Sequence, residues 1–131
     1  MRDDAQLALL GRFEAKLAPL LRLRRQVALP IPGDRRAWDG RIHGGTAGVA
    51  SIEAESKLLD LRALARRIAL KCRDDPDAGA VILLLNKTAH NRRVLAEHSD
   101  ALRDRFPLDG AAIHEALAAG RAPPANGILL L

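Results

Sequence analysis

Aromatic side chains are nearly missing from this chain, which has one Trp, two Phe and no Tyr in 131 residues. Its core must therefore be assembled from Leu, Ile, Val and Ala, and the scarcity argues against a single-strand nucleic-acid site built on base stacking. Cys72 is the sole cysteine, so no internal disulfide can form and a reducing compartment is expected. No stretch is apolar for long enough to span a membrane. The start of the chain is charged, with Arg2, Asp3 and Asp4, and lacks the order of a secretion signal. A cytoplasmic protein with no membrane partner is the expectation. No internal repeat and no low-complexity tract is present.

What is present suits a single domain over residues 1–131, and hydrophobic residues at 48% supply enough material for a core. The net charge is +5, carried mostly by arginine. Two readings of that bias stand: the codon usage of a GC-rich genome, or a phosphate-binding surface, which guanidinium groups suit.

Leu7, Leu10, Phe13, Leu17 and Leu21 recur at three- and four-residue spacing, which predicts an amphipathic helix from about Asp4 to Arg24. Pro19 should kink that helix or end its regular part. A short strand over Gln26–Ile31 follows, then strands near residues 36–43 and 48–55. A second helix is expected from about Lys57 to Arg73, with Leu58, Leu61, Leu64, Ala65, Ile68 and Cys72 on its buried stripe and Arg62, Arg66, Arg67, Lys71 and Arg73 elsewhere on its surface. Ala80–Leu85 is a continuous apolar run typical of a strand covered on both faces. Beyond it come a helical segment from about Ala89 to Arg105, a short helix capped by Asp109, and a last strand over Gly127–Leu131. The order α-β-β-β-α-β-α-α-β predicts an α/β (α+β) fold, with a mixed sheet and helices on both of its faces.

The stretch from Trp38 to Lys57 is the most informative. Gly44, Gly45 and Gly48 suit a turn between two strands. If Thr46 is its centre, Asp39 pairs with Glu53, Ala37 with Glu55 and Arg41 with Ser51. Asp39, Glu53 and Glu55 then share one face, opposite the apolar Ala50, Ile52 and Ala54. A one-residue slip would separate them. Such a carboxylate cluster usually persists because a hard divalent cation or a basic partner neutralises it.

That element order, with Asp39 on the second strand and Glu53-Ala54-Glu55 on the third, resembles the PD-(D/E)XK nuclease-like superfamily over roughly Leu7 to Leu85. The resemblance implies a restriction-endonuclease-like αβββαβ core with flanking helices. It also implies acids on the second and third strands that hold one or two Mg²⁺ ions, and a lysine two positions after the second acid. By that implication Asp39 and Glu53 are the metal ligands, with the Ala54 carbonyl as a further oxygen. Glu55 stands where the lysine is usual, and no proline precedes Asp39. Lys57 would replace the missing cation if the strand extends that far, and Glu14 on the first helix would add a carboxylate. Glu55 or Lys57 would orient the attacking water or offset developing charge.

More locally, Leu29–Asp39 (LPIPGDRRAWD), Glu53–Lys71 (EAESKLLDLRALARRIALK) and Val81–Leu95 (VILLLNKTAHNRRVL) resemble the domain that follows the helix-turn-helix in a group of actinobacterial XRE-type regulators. This chain shows no helix-turn-helix segment. It therefore stands alone, works beside a separate DNA-binding chain, or is truncated.

Arg62, Arg66, Lys87, Arg92 and Arg93 are the candidate nucleic-acid contacts, for DNA or RNA; a solvated helix exterior explains the same charges. Lys87 follows the apolar strand, where open α/β sheets tend to place ligands. His43, His90, His98 and His114 have no metal-ligand spacing. Cys72 reads as core rather than nucleophile, and Trp38 as a core anchor on the face opposite Asp39. Two functions follow: a Mg²⁺-dependent phosphodiesterase or its remnant, or a non-catalytic regulatory domain, monomeric or homodimeric, paired with a helix-turn-helix protein.

Overall fold

The computed structural model describes residues 4–45 and 48–131. Thr46, the expected centre of the hairpin, lies outside the described residues, as does Asp3. Five strands form one mixed sheet in the order β1-β2-β3-β4-β5, comprising β1 (Leu21–Ala28), β2 (Ala37–Gly44), β3 (Ala50–Glu55), β4 (Ala80–Leu85) and β5 (Gly127–Leu130). The first three are antiparallel neighbours, and β3-β4 and β4-β5 are parallel. The helices are α1 (Asp4–Ala15), α2 (Leu61–Asp74), α3 (Ala89–Glu97), α4 (Ser99–Arg105) and α5 (Gly110–Ala118). The chain is thus a mixed α/β fold in which the leading αβββαβ order is the expected one.

Helices cover both faces of the sheet, and each face has its own core. On one side, Leu9, Leu10 and Phe13 of α1 and Ile113 and Leu117 of α5 meet Ile42, Ile52, Ile82 and Leu84. On the other, Leu61, Leu64 and Ile68 of α2 and Leu102 of α4 meet Trp38, Val81, Leu83 and Leu85. The run Val81–Leu85 feeds both cores in alternation and is fully buried, as a strand covered on two sides must be.

Three boundaries depart from the sequence reading. The first helix stops at Ala15 rather than continuing to Arg24, because a tight turn through Pro19 reverses the chain. Leu21–Ala28 then pairs with β2 as an edge strand that starts well before the expected Gln26. Leu21 and Leu23 face the α1 core by period two, while Arg22 and Arg24 are exposed. The second helix begins at Leu61, four residues later than expected, because Asp60 accepts a hydrogen bond from the Ala63 amide at 3.0 Å and caps it. The segment over residues 89–105 is two helices divided at His98.

The β2-β3 ladder carries the expected register, with Arg41 opposite Ser51 and Gly40 opposite Ile52. It ends there, one pair short of Asp39 and Glu53. The neighbouring β1-β2 ladder explains why. Gln26, opposite Asp39, has φ +56°, the single positive φ outside glycine among the described residues. Leu23 and Ile42 on one side of that point face the α1 core, whereas Val27 and Trp38 on the other face the α2 core. Both strands exchange faces there, which places Asp39 at the crossing instead of in a regular pleat.

Candidate functional site

Glu53 is the centre of the acidic cluster. It lies on β3 under α2, is only 2% exposed, and its Oε1 accepts from Lys71 Nζ at 2.7 Å. Lys71 is itself buried, also donates to the Ala37 carbonyl at 2.7 Å, and sits 5.3 Å from the centre of the Trp38 ring. Its placement on the solvated exterior of α2 is thus corrected: Lys71 lies on the inner stripe, three residues after Ile68. Cys72, assigned to that stripe, is only half-buried. Burial still pushes the Cys72 thiol up, and the nearby Asp75 and Glu53 charges add to this, so it is not a ready thiolate.

Burial raises the Glu53 carboxyl above its ordinary range; Lys71 opposes this, the neighbouring Asp39 charge adds to it, and Arg67 opposes it more weakly. Arg67 lies 3.8 Å from Glu53 Oε2 and 2.7 Å from Glu55 Oε1, so it spans both acids from the rim. Asp39 reaches β3 by accepting from the Ala54 amide at 2.8 Å. Gln6 of α1 completes the cluster: its Nε2 is 3.5 Å from Asp39 Oδ2 and donates to the Ala54 carbonyl.

Other expected members lie elsewhere. β3 ends at Glu55, and Lys57 is exposed beyond it, so the strand does not carry Lys57 to the position of the missing cation. Glu14 is exposed and pairs with Arg25 at 3.3 Å; the α1 residue that reaches Asp39 is Gln6. Arg62 and Arg66 are exposed one turn apart on α2, and Arg92 and Arg93 are exposed on α3. Lys87 lines a separate cleft with Arg103 and Phe106 at the ends of β4 and β5.

A Mg²⁺ ion at this site would draw on Asp39, Glu53 and the Ala54 carbonyl, since it favours oxygen ligands in octahedral array. Each of these oxygens already faces a nitrogen of the protein: the Ala54 amide, Lys71 Nζ and Gln6 Nε2 respectively. Among the described residues no group of three or more His, Cys, Asp or Glu is arranged to hold a metal. A cation here would have to compete with Lys71 and Gln6 for these oxygens. The cluster's negative charge is instead offset from within, by Lys71 and Arg67.

A second polar network, which the sequence reading missed, ties the end of α2 to the sheet. Buried Asp75 accepts from Trp38 Nε1 at 2.9 Å and from Arg41 Nη2 at 2.6 Å, and Ser51 Oγ donates to the Ala78 carbonyl at 2.7 Å. Burial drives Asp75 up, but the hydrogen bonds from Trp38, Arg41 and the Asp77 amide, together with the Arg41 charge, hold the carboxyl below its usual range. Among the described residues no helix is long and apolar enough to cross a membrane. Comparisons with protein-family models, curated proteins and solved structures gave no match.

Proposed function

We propose that this chain is a cytoplasmic regulatory or interaction domain that acts beside a helix-turn-helix DNA-binding protein, on a PD-(D/E)XK nuclease-like scaffold whose carboxylate site is a remnant. One observation carries the reading: Glu53, the acid that should bind metal, is buried against Lys71 in a closed ion pair. A phosphodiester and its metal need an open site, and opening this one strands a buried charge on each side. Fold alone does not imply catalysis.

A nuclease is the second reading, and a specific observation favours it. Two acids and a lysine converge at Asp39, Glu53 and Lys71, with the lysine supplied by α2 instead of β3. Incubating the purified protein with labelled single- and double-stranded DNA and RNA, in Mg²⁺, Mn²⁺ or EDTA, separates the two. No metal-dependent cutting is expected from the wild type. Metal-dependent cutting that disappears in both Asp39→Asn and Glu53→Gln would overturn the remnant reading and establish the nuclease.

A further inference from the structure

A groove of about 440 Å³ runs between α2 and α4 on the face remote from α1. Ala65, Ala69 and Ala101 give it a floor of small side chains, and Leu70 stands 39% exposed beside them. Its rim is basic: Arg62 and Arg66 from α2, Arg105 from α4, and His98 at the junction of α3 and α4. Among the described residues no carboxylate lines it. Among the described residues neither Arg62 nor Arg66 has an ion-pair partner, and the nearby Asp60 is committed to capping α2. Arg105 leans across the floor, 3.5 Å from the Ala65 carbonyl.

Two like charges four residues apart on one helix repel each other, so Arg62 and Arg66 gain nothing from α2 itself. Their spacing along the axis, about 6 Å, equals that of two acids four apart on another helix. Alanines set opposite one another allow close approach and leave room for an apolar side chain between the basic rims. A phosphate backbone would use the rim but not the apolar floor, and stacked bases would need aromatics that the groove lacks. We infer that the α2-α4 groove receives an acidic amphipathic helix of a partner protein, its apolar face on Ala65, Ala69, Ala101 and Leu70 and its carboxylates on Arg62, Arg66 and Arg105. This rests on the reading of the chain as an interaction domain and names the chemistry of its partner.

The test uses the full chain and labelled helical peptides of roughly four turns, with leucines at three- and four-residue spacing and flanking glutamates. A peptide with lysine at each glutamate position and a labelled duplex of roughly 20 base pairs run beside it. Fluorescence anisotropy should show binding of the acidic peptide alone among the peptides. That binding should weaken at least about tenfold in Arg62→Glu/Arg66→Glu and in Ala101→Trp, which fills the floor, and change less than about twofold in Arg92→Glu/Arg93→Glu, which alters net charge equally. Equal binding of the basic peptide, or equal loss in the α3 variant, overturns the inference. So does a groove variant that abolishes duplex binding while sparing the peptide, which would make the groove a phosphate contact. Failure here without nuclease activity removes the groove but leaves the regulatory reading; metal-dependent cleavage removes that reading whatever the peptides do.

Discussion

At 2.7 Å from Glu53 and buried with it, Lys71 sets the energetic scale of the acidic cluster. Lys71→Met leaves a carboxylate in a site built for an ion pair, so unfolding in urea at neutral pH should show a loss of about 3–5 kcal/mol. Adding Glu53→Leu should recover most of that loss, because a packed apolar pair often matches a buried ion pair. The pH dependence has a definite sign. The folded pKa of Glu53 already lies above the ordinary 4.5, and losing Lys71 raises it further. Proton uptake then favours the folded state. The stabilisation is fully present below about pH 4.5 and is lost as pH rises through the raised value. The Lys71→Met deficit should therefore shrink on acidification, and a deficit constant from pH 4 to 8 would show that Glu53 does not carry it. Glu53 could be read from alternation along β3, but alternation does not place Asp39, because β1 and β2 exchange faces there. Lys71 could have been read too, since it falls seven residues after Leu64 and three after Ile68. Its charge assigned it to the surface, and the pairing that reverses this lies on a strand eighteen residues away. Gln6 gave no signal, because its contact with Asp39 depends on how α1 docks.

Elements here are held in place by side chains at their ends, and two of those side chains differ in worth. Asp60 caps α2 at the surface, and Asp60→Ala should cost about 1 kcal/mol. Asn91, fully buried at the start of α3, accepts from the Leu58 amide at 2.9 Å and donates to the Ser56 and Asn86 carbonyls at 3.0 and 2.8 Å. It thereby joins the loop after β3 to the loop after β4. Asn91→Ala leaves three backbone groups unmet. At about 1–3 kcal/mol each, with water recovering part, the expected loss is roughly 2–4 kcal/mol by chemical denaturation. A loss no larger than that of Asp60→Ala would show that water replaces the clamp. The strands β2 to β5 were legible, β2 and β3 from alternation around a glycine turn and β4 and β5 from short apolar runs that follow glycine or proline. The first helix was over-extended because Leu17 and Leu21 fit a helical repeat, while Leu21-Arg22-Leu23-Arg24 fits a strand equally well. Local periodicity cannot choose between them; pairing with β2 does. The exchange of faces at Gln26 left no trace in composition, since an ordinary polar residue adopts the left-handed conformation there.

On the scale of the whole molecule, the layered plan followed from the sequence, because one unbroken apolar strand with amphipathic helices before and after it has few other ways to bury itself. The fate of the charge did not follow. Arginine is abundant, but Arg25, Arg36, Arg41, Arg67 and Arg73 are paired within the chain, while Arg62, Arg66 and Arg105 line the α2-α4 groove and Arg92 and Arg93 are exposed on α3. A chain of net charge +5 with so dispersed a surface should bind duplex DNA only through diffuse phosphate attraction. The expected Kd at physiological salt is about 10⁻⁴–10⁻⁶ M, alike for unrelated sequences and weakening steadily as salt rises. Salt-titrated anisotropy with two or more unrelated duplexes measures it. If the chain acts beside a helix-turn-helix protein, sequence selection belongs to that partner, and the domain adds reach or regulation. A preference of about 10³-fold for one duplex would mean that this chain reads bases itself. That outcome would move the DNA-binding surface into this domain and away from any partner.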